Sequence, residues 1–232
     1  VKVSSSPIGK YRDTNRYPSR GWNAYHVVYQ DAQRWLKEGI HDALFPMMYF
    51  QGNNFYPFAL DWKENDGKRW IIPGLGIYFL SPREQDWPLD EIVRQIHFTR
   101  QIKLNGQAYF RNRFLLDNTK GVLDELEENF YTYPALIPPM TWSDSIPPSV
   151  PSHPSVQQIA NGKLRMSWQA SADNSNQSVV YHLYGSDTYP VDIKQPQNLI
   201  ATHLIANEYE YTAKLPWLQK RYFAVTAADR FG

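Results

Sequence analysis

The chain has 232 residues, a net charge of +1 and no cysteine. That length is comfortable for two domains. The balanced charge gives no electrostatic support to a nucleic-acid or anionic-membrane partner, and the missing cysteines exclude disulfides and thiolate metal sites. Hydrophobic residues make up 42% and charged residues 20%, so a packed core can be built. No apolar run approaches the roughly 18 residues of a membrane span, and no signal peptide is visible. A start at Val1 rather than Met reads as a cut, a processing site or a disordered start. Aromatic residues reach 15%, a level shared by aromatic-rich β-domains and carbohydrate-handling proteins. For any single ring a core position is the better expectation.

In chain order, "VKVSSS" (1–6) reads as a strand that ends in small polar residues. "NAYHVVYQDAQRWLKEG" (23–39) reads as one helix, capped by Asn23, with Val27, Val28, Ala32, Trp35 and Leu36 on its apolar face. "ALFPMMYF" (43–50) is the next strand, and residues 51–69 need not hold a full helix. "WIIPGLGIYFL" (70–80) is a further strand, whose glycines point to close packing. Pro46 and Pro73 delete ladder donors inside their strands, so bulges are expected there. "PLDEIVRQIHFTRQI" (88–102) is a helix with Pro88 near its start, and Asp86 is its expected cap. "QAYFR" (107–111) is a strand and "TKGVLDELEENFY" (119–131) a helix. Strands alternating with helical connections argue for parallel βα units.

From Pro138 to Pro154 the chain is rich in proline, which reads as a semi-rigid linker over 138–154 between domains at 1–137 and 155–232. Beyond it the pattern changes to period two. "SVQQIA", "KLRMSWQA", "VVYHLYGS", "YEYTAKL" and "RYFAVTAAD" are five strand candidates, which is an all-β sandwich signature. Trp168 should be buried with Leu164 and Met166, and Leu215 with Tyr222 suggests a tyrosine corner. The expected fold class is therefore α/β plus all-β.

Parallel βα units carry ligand chemistry beyond the C-terminal ends of their strands. Those ends read Ser5-Ser6, Tyr49-Phe50-Gln51, Tyr78-Phe79 and Arg111-Asn112, so a polar and aromatic rim is expected. The expected sugar contacts are Ser6, Arg12, Tyr49, Gln51, Trp62, Tyr78, Arg111 and Asn112. Tyrosine and tryptophan would stack on sugar C–H faces and the amides would take hydroxyls. Arg12 and Arg111 would meet a carboxylate on the sugar. Glycoside hydrolysis needs two carboxyls, about 5 Å apart for retention or about 6.5–9.5 Å for inversion. Asp13 and Asp61 are the carboxylates nearest a predicted strand end, and Asp42 has a structural reading. No cofactor motif and no metal-ligand spacing is present.

Two resemblances add to this. "LRMSW", "YHLYGSD" and "YFAVTAADRFG" resemble a fibronectin type III domain, which implies a final strand beyond Gly232. "SSSPIGKYRD" (4–13), "YQDAQRWLKEGIHDALFPMMYF" (29–50), "GLGIYFL" (74–80), "GQAYFRNRFLLDNTKGVLDEL" (106–126) and "YPALIPPMTW" (133–142) resemble the bacterial glycosyl hydrolase-like 10 group. That resemblance implies the last four units of a (β/α)8 barrel, export to the cell envelope or periplasm, and a glycan substrate, with cell-wall glycan one candidate. It places the family's strongest acidic motif upstream of Val1, so the chain alone would not catalyse. The family's proline-glutamine pair reads Pro46-Met47 here. A half-barrel would need covering, by upstream residues or by self-association. The alternatives are a non-catalytic glycan- or protein-binding scaffold and a structural spacer of the envelope.

Overall fold

The computed structural model describes residues 2–18, 21–174, 178–213 and 220–232. The chain forms two compact units, Val1–Phe130 and Tyr131–Gly232.

In the first unit, short parallel strands follow one another in sequence order. β1 (Ser4–Ser5) pairs with β2 (Ala43–Leu44), and β2 with β3 (Trp70–Ile71). β4 (Gly74–Leu75) continues the line of β3 and pairs with β5 (Ala108–Tyr109). Isolated parallel bridges, Ile8 to Met47 and Met47 to Gly74, carry the pairing past the ends of these pieces. Among the described residues β1 and β5 each have one neighbour, and the sheet does not close into a barrel.

Proline accounts for the ladder interruptions after β1 and β2 and between β3 and β4. The Met47 N–H donates to the Pro7 carbonyl, Gly74 N–H to Pro46, and Ala108 N–H to Pro73. Each proline keeps its acceptor in the ladder and lacks the donor that would face the same neighbour. The bulges expected at Pro46 and Pro73 are instead interruptions of an otherwise continuous ladder.

Helical segments fill the connections. The span expected as one helix over 23–39 is two, α1 (Ala24–Val27) and α2 (Ala32–Lys37). Asn23 caps the first as expected, its Oδ1 accepting from His26 N–H. The break at 28–31, with Tyr29 at φ 57°, turns two side chains toward the exit of β1. Gln30 accepts from the Ile8 N–H and Asp31 from the Tyr11 hydroxyl. The span 51–69 does hold a helix, α3 (Tyr56–Glu64). α4 (Leu89–Gln101) matches expectation, but Pro88 is its N-cap, and Asp86 pairs with Lys120 at 2.6 Å instead. α5 (Asn112–Leu116) was not expected, and the last helical stretch is α6 (Val122–Glu125) running into a π turn at Leu126–Phe130.

The core of this unit centres on Leu44, Met48, Phe55, Phe58, Trp62, Ile71, Leu75, Ile92 and Ile96, all buried between sheet and helices. Gly9 sets how close the chain runs along β2. A Cβ there would run into the Met47 carbonyl and lie 2.7 Å from Met48 Cα. The Gly9 carbonyl accepts a 2.7 Å hydrogen bond from the Trp62 indole, which is fully buried.

The second unit is a sandwich of two three-stranded antiparallel sheets. One has the order β10 (Glu208–Thr212), β7 (Lys163–Gln169), β6 (Ser152–Ala160). The other has the order β11 (Tyr222–Ala228), β8 (Val180–Ser186), β9 (Leu199–Leu204). Leu164, Met166 and Trp168 alternate inward from β7 and meet Tyr181 and Leu183 of β8 in a shared core, as the period-two pattern predicts. β9 was missed because "LIATHL" does not alternate between buried and exposed positions. Leu215 lies outside the described residues, so the tyrosine corner expected with it has no structural account; the Tyr222 ring lies 5.6 Å from that of Tyr189.

The stretch 138–154 is not a free linker. Met140 is buried and its N–H donates to the Phe231 carbonyl at 2.6 Å. Ser149 N–H donates to Ala172, and β6 already begins at Ser152. Proline takes away donors, but the residues between the prolines retain theirs and use them to join the second unit.

Gly9→Ala should destabilise the first unit by roughly 1–3 kcal/mol, the usual range for overpacking. The second unit should keep its own unfolding transition. Denaturant melting followed by backbone NMR of each unit checks both; an unchanged first transition would show that the strands have room to separate.

Candidate functional site

At the C-terminal edge of the parallel sheet the structure forms a cleft of about 690 Å³, within the range of ligand sites. It is lined by Ile8 after β1, Met47, Tyr49, Phe50 and Gln51 after β2, Asn54 in the following 3₁₀ turn, and Tyr78 and Phe79 after β4. Gln85, Trp87 and the exposed Trp22 complete it. The lining therefore comes from successive strand exits, the position that parallel βα architecture makes available to ligands.

Rings dominate the wall. Tyr49 stacks on Phe110 with centroids 5.2 Å apart and meets Tyr78 edge-on at 5.8 Å. Tyr78 leans on Phe79, and Phe79 on Trp87 at 4.7 Å. Gly74 and Gly76 make room for Tyr49. A Cβ on either would come within 3.2 Å and 3.1 Å of it, which confirms the close-packing reading of these glycines. The loops are tied down as well, with Tyr78 N–H donating to Phe110, Phe110 N–H to Leu75, and Trp87 N–H to Phe79.

Burial raises the pKa of the Tyr49 phenol, and Tyr78 adds to this; Tyr78 is raised likewise by burial and then by nearby Glu84. Both stay neutral at physiological pH, so each can donate and accept. No aspartate, glutamate, lysine or arginine is among the described residues lining the cleft.

Behind the wall sits Lys10, buried, with its ammonium over the faces of Phe50 and Phe58. Its Nζ donates to Asn54 Oδ1 at 2.7 Å. Burial pushes its pKa down, and Asp13 opposes this.

Of the expected sugar contacts, Tyr49, Gln51 and Tyr78 are brought together. The others are not among the lining residues. Trp62 is a core residue with its N–H committed to Gly9, so it cannot stack on a ligand. Its place could be read from the helical spacing Phe55, Phe58, Ala59, Trp62, which marks one buried face of α3. Ser6 is exposed just past β1. The Arg12 guanidinium lies over Tyr11 and that of Arg111 over Phe114, so neither is placed for a sugar carboxylate in this cleft. Asn112 starts α5 on the exposed side. Asp13 is exposed. Asp61 is on α3, where it accepts from Gln33 at 2.8 Å, a contact between helices rather than a rim position. Asp42 has the structural role expected of it and accepts from the Val3 N–H.

Sequence reasoning placed Phe50 and Phe79 on the rim and missed Ile8, Trp22, Met47, Asn54, Gln85 and Trp87. Gln85 and Trp87 follow "GLGIYFL" closely enough to return to the same strand exit, and that proximity was the available signal. Met47 lines the cleft, where its thioether adds an apolar surface. Among the described residues no cluster of three or more histidine, cysteine, aspartate or glutamate side chains could hold a metal ion. No helix among them is long and apolar enough to cross a membrane.

Fold and cleft together define the class. The chain has a parallel α/β unit with an aromatic, amide-bearing cleft at its strand exits, followed by a β-sandwich. Comparison gives one particular relative. The chain is similar to a protein of Bacillus subtilis (strain 168) named Glycosyl hydrolase YngK, with 28% identity over 246 residues that cover 99% of this chain. The chain spans about half, 48%, of that relative's length. No family model matches the chain.

Asp61 supplies a pH prediction. Burial raises its pKa above the usual carboxylate value, ahead of the opposing hydrogen bond from Gln33. Between the unfolded carboxylate value of about 4 and the higher folded one, the native state holds more protons than the unfolded chain. Stability from this group is thus greatest below that window and falls as pH rises through it. Asp61→Asn should remove that slope and be at least as stable as the wild type at pH 7, with ligand binding unchanged. Denaturant midpoints across the pH range check it, and an Asn variant that loses stability at neutral pH would contradict it.

Proposed function

We propose that the chain is the glycan-binding part of a glycoside hydrolase of the glycosyl hydrolase-like 10 kind. In this reading the first unit is the last four βα units of a (β/α)8 barrel, and the second is a fibronectin type III domain. The observation that carries the reading is the cleft at the sheet's C-terminal edge, where Tyr49, Tyr78 and Trp22 offer ring faces beside the amides of Gln51, Asn54 and Gln85. Rings take the apolar faces of sugars, and amides take their hydroxyls. Likeness along nearly the whole chain to a protein named glycosyl hydrolase supports the same class.

Catalysis in this reading comes from carboxyls outside the chain. Hydrolysis of a glycosidic bond needs an acid and a second carboxyl facing the bond, and no carboxylate is among the described residues lining the cleft. The same observation favours the second reading, a glycan-binding scaffold without turnover. In the longer protein, β1 and β5 would gain neighbours from upstream βα units; in the chain alone, a second copy could cover the open edges. Export to the cell envelope, with cell-wall glycan as substrate, belongs to the same proposal.

Tyr49→Ala should weaken glycan binding by ~1–3 kcal/mol, the value of burying one ring, with the fold intact by circular dichroism. The 232-residue chain should bind oligosaccharides and hydrolyse none, whereas a version extended upstream should hydrolyse them. Turnover by the short chain near the rate of the long one would place the acid and base inside it. Failure of the long one to turn over any glycan would leave the scaffold.

A further inference from the structure

Two of the amides in the cleft have their oxygens already used. Asn54 Oδ1 accepts from the buried Lys10 ammonium at 2.7 Å, and Gln85 Oε1 accepts from the Trp87 indole at 3.0 Å. Neither donor can act as an acceptor in its charged or ordinary form, since an ammonium and an indole N–H only donate. The amide orientation is therefore forced: oxygen toward the protein, NH2 away from it. Among the described residues, neither Asn54 Nδ2 nor Gln85 Nε2 has a protein hydrogen-bond partner, although both residues line the cleft. Lys10 and Trp87 are themselves 7% and 5% exposed, so the orienting groups are held in packed surroundings and not on mobile side chains.

We propose that Asn54 and Gln85 present a fixed pair of NH2 donors to the cleft, with Lys10 and Trp87 as positioning residues, and that the pair selects uncharged saccharides. This rests on the reading of the cleft as a glycan site and adds the class of glycan. A cationic amino sugar would bring its own N–H donors against the donor pair and find no carboxylate in the lining. The donor pair would donate to an anionic sugar's carboxylate, but no cation in the lining offsets the cost of taking that charge out of water, and Glu84, close enough to act on the Tyr78 hydroxyl, repels it. The Lys10 charge is turned toward Asn54 and the two phenyl faces, and Asp13 acts on it. A neutral saccharide meets both requirements, with oxygen acceptors for the donor pair and C–H faces for the rings.

The test uses the full chain and three hexasaccharides: the N-acetylglucosamine hexamer, its fully deacetylated and therefore cationic counterpart, and the galacturonate hexamer. Binding is read by calorimetry. The neutral hexamer should bind at least about tenfold more tightly than either charged one, the difference one unmet or opposed hydrogen bond makes. Asn54→Asp keeps the shape and the Lys10 contact but turns an oxygen acceptor toward the cleft. It should raise the ratio of cationic to neutral affinity by about tenfold or more. Trp87→Phe removes the indole N–H and keeps a ring. It should weaken neutral binding in the wild type and have no further effect once Gln85 is alanine, an outcome a purely structural role for Trp87 would not give. Equal binding of neutral and charged hexamers, or an unchanged ratio in Asn54→Asp, overturns the inference and leaves the glycan site standing. If none of the hexamers binds, and none shifts the NMR signals of Tyr49 and Trp22, the glycan reading itself falls and the inference with it.

Discussion

The first unit depends on how tightly β1 and its exit run against β2. Gly9 permits that approach, because any side chain there would overlap the backbone at Met47 and Met48. The Trp62 indole then ties the Gly9 carbonyl to α3. One residue thus fixes the distance between two strands, and the helix that follows the second strand is anchored to the first. Met47 and Tyr49 leave β2 just beyond this contact, so the floor and wall of the cleft inherit its precision. Ile8 and Lys10 flank Gly9 and contribute to the cleft from the other strand, one as lining and one from behind.

Much of the architecture was legible in the sequence. Parallel βα order followed from short apolar runs alternating with helical patterns, and the sandwich followed from period two in "KLRMSWQ". What was not legible depended on tertiary partners. The helix expected over 23–39 breaks where the Gln30 and Asp31 side chains accept from the Ile8 N–H and the Tyr11 hydroxyl, partners distant in sequence. β9 carries no alternation, so nothing in its own residues announces a strand. The proline-rich stretch looked like a spacer because composition shows missing donors but not the donors that remain, such as Met140 N–H on Phe231.

The site was legible in part, for a related reason. Strand exits told where a cleft would lie, and Tyr49, Gln51 and Tyr78 are there. Side-chain chemistry alone did not tell which aromatic or charged residues near those exits face outward. Trp62 is as suitable for stacking as Trp22, yet one is locked in the core and the other stands exposed on the cleft. Arg12 and Arg111 carry the right charge for an acidic sugar but spend their guanidinium faces on Tyr11 and Phe114. Polar residues between the motifs, Asn54 and Gln85, entered the site through the turn after β2 and the loop before α4; nearness to "GLGIYFL" was the signal for Gln85, and no spacing rule pointed to Asn54.

The contrast between Trp22 and Trp62 has an optical consequence. Trp22 is 66% exposed on the lip of the cleft, and Trp62 is fully buried beside Tyr11. An indole in water emits at longer wavelength than one in an apolar interior and is open to quenchers in solution. The red edge of the chain's intrinsic fluorescence therefore has a contributor at the mouth of the cleft, while Trp62 adds to the blue side and is shielded from collision. Acrylamide or iodide would dim the first and spare the second, so the molecule carries a native dye at its cleft together with an internal standard in its core.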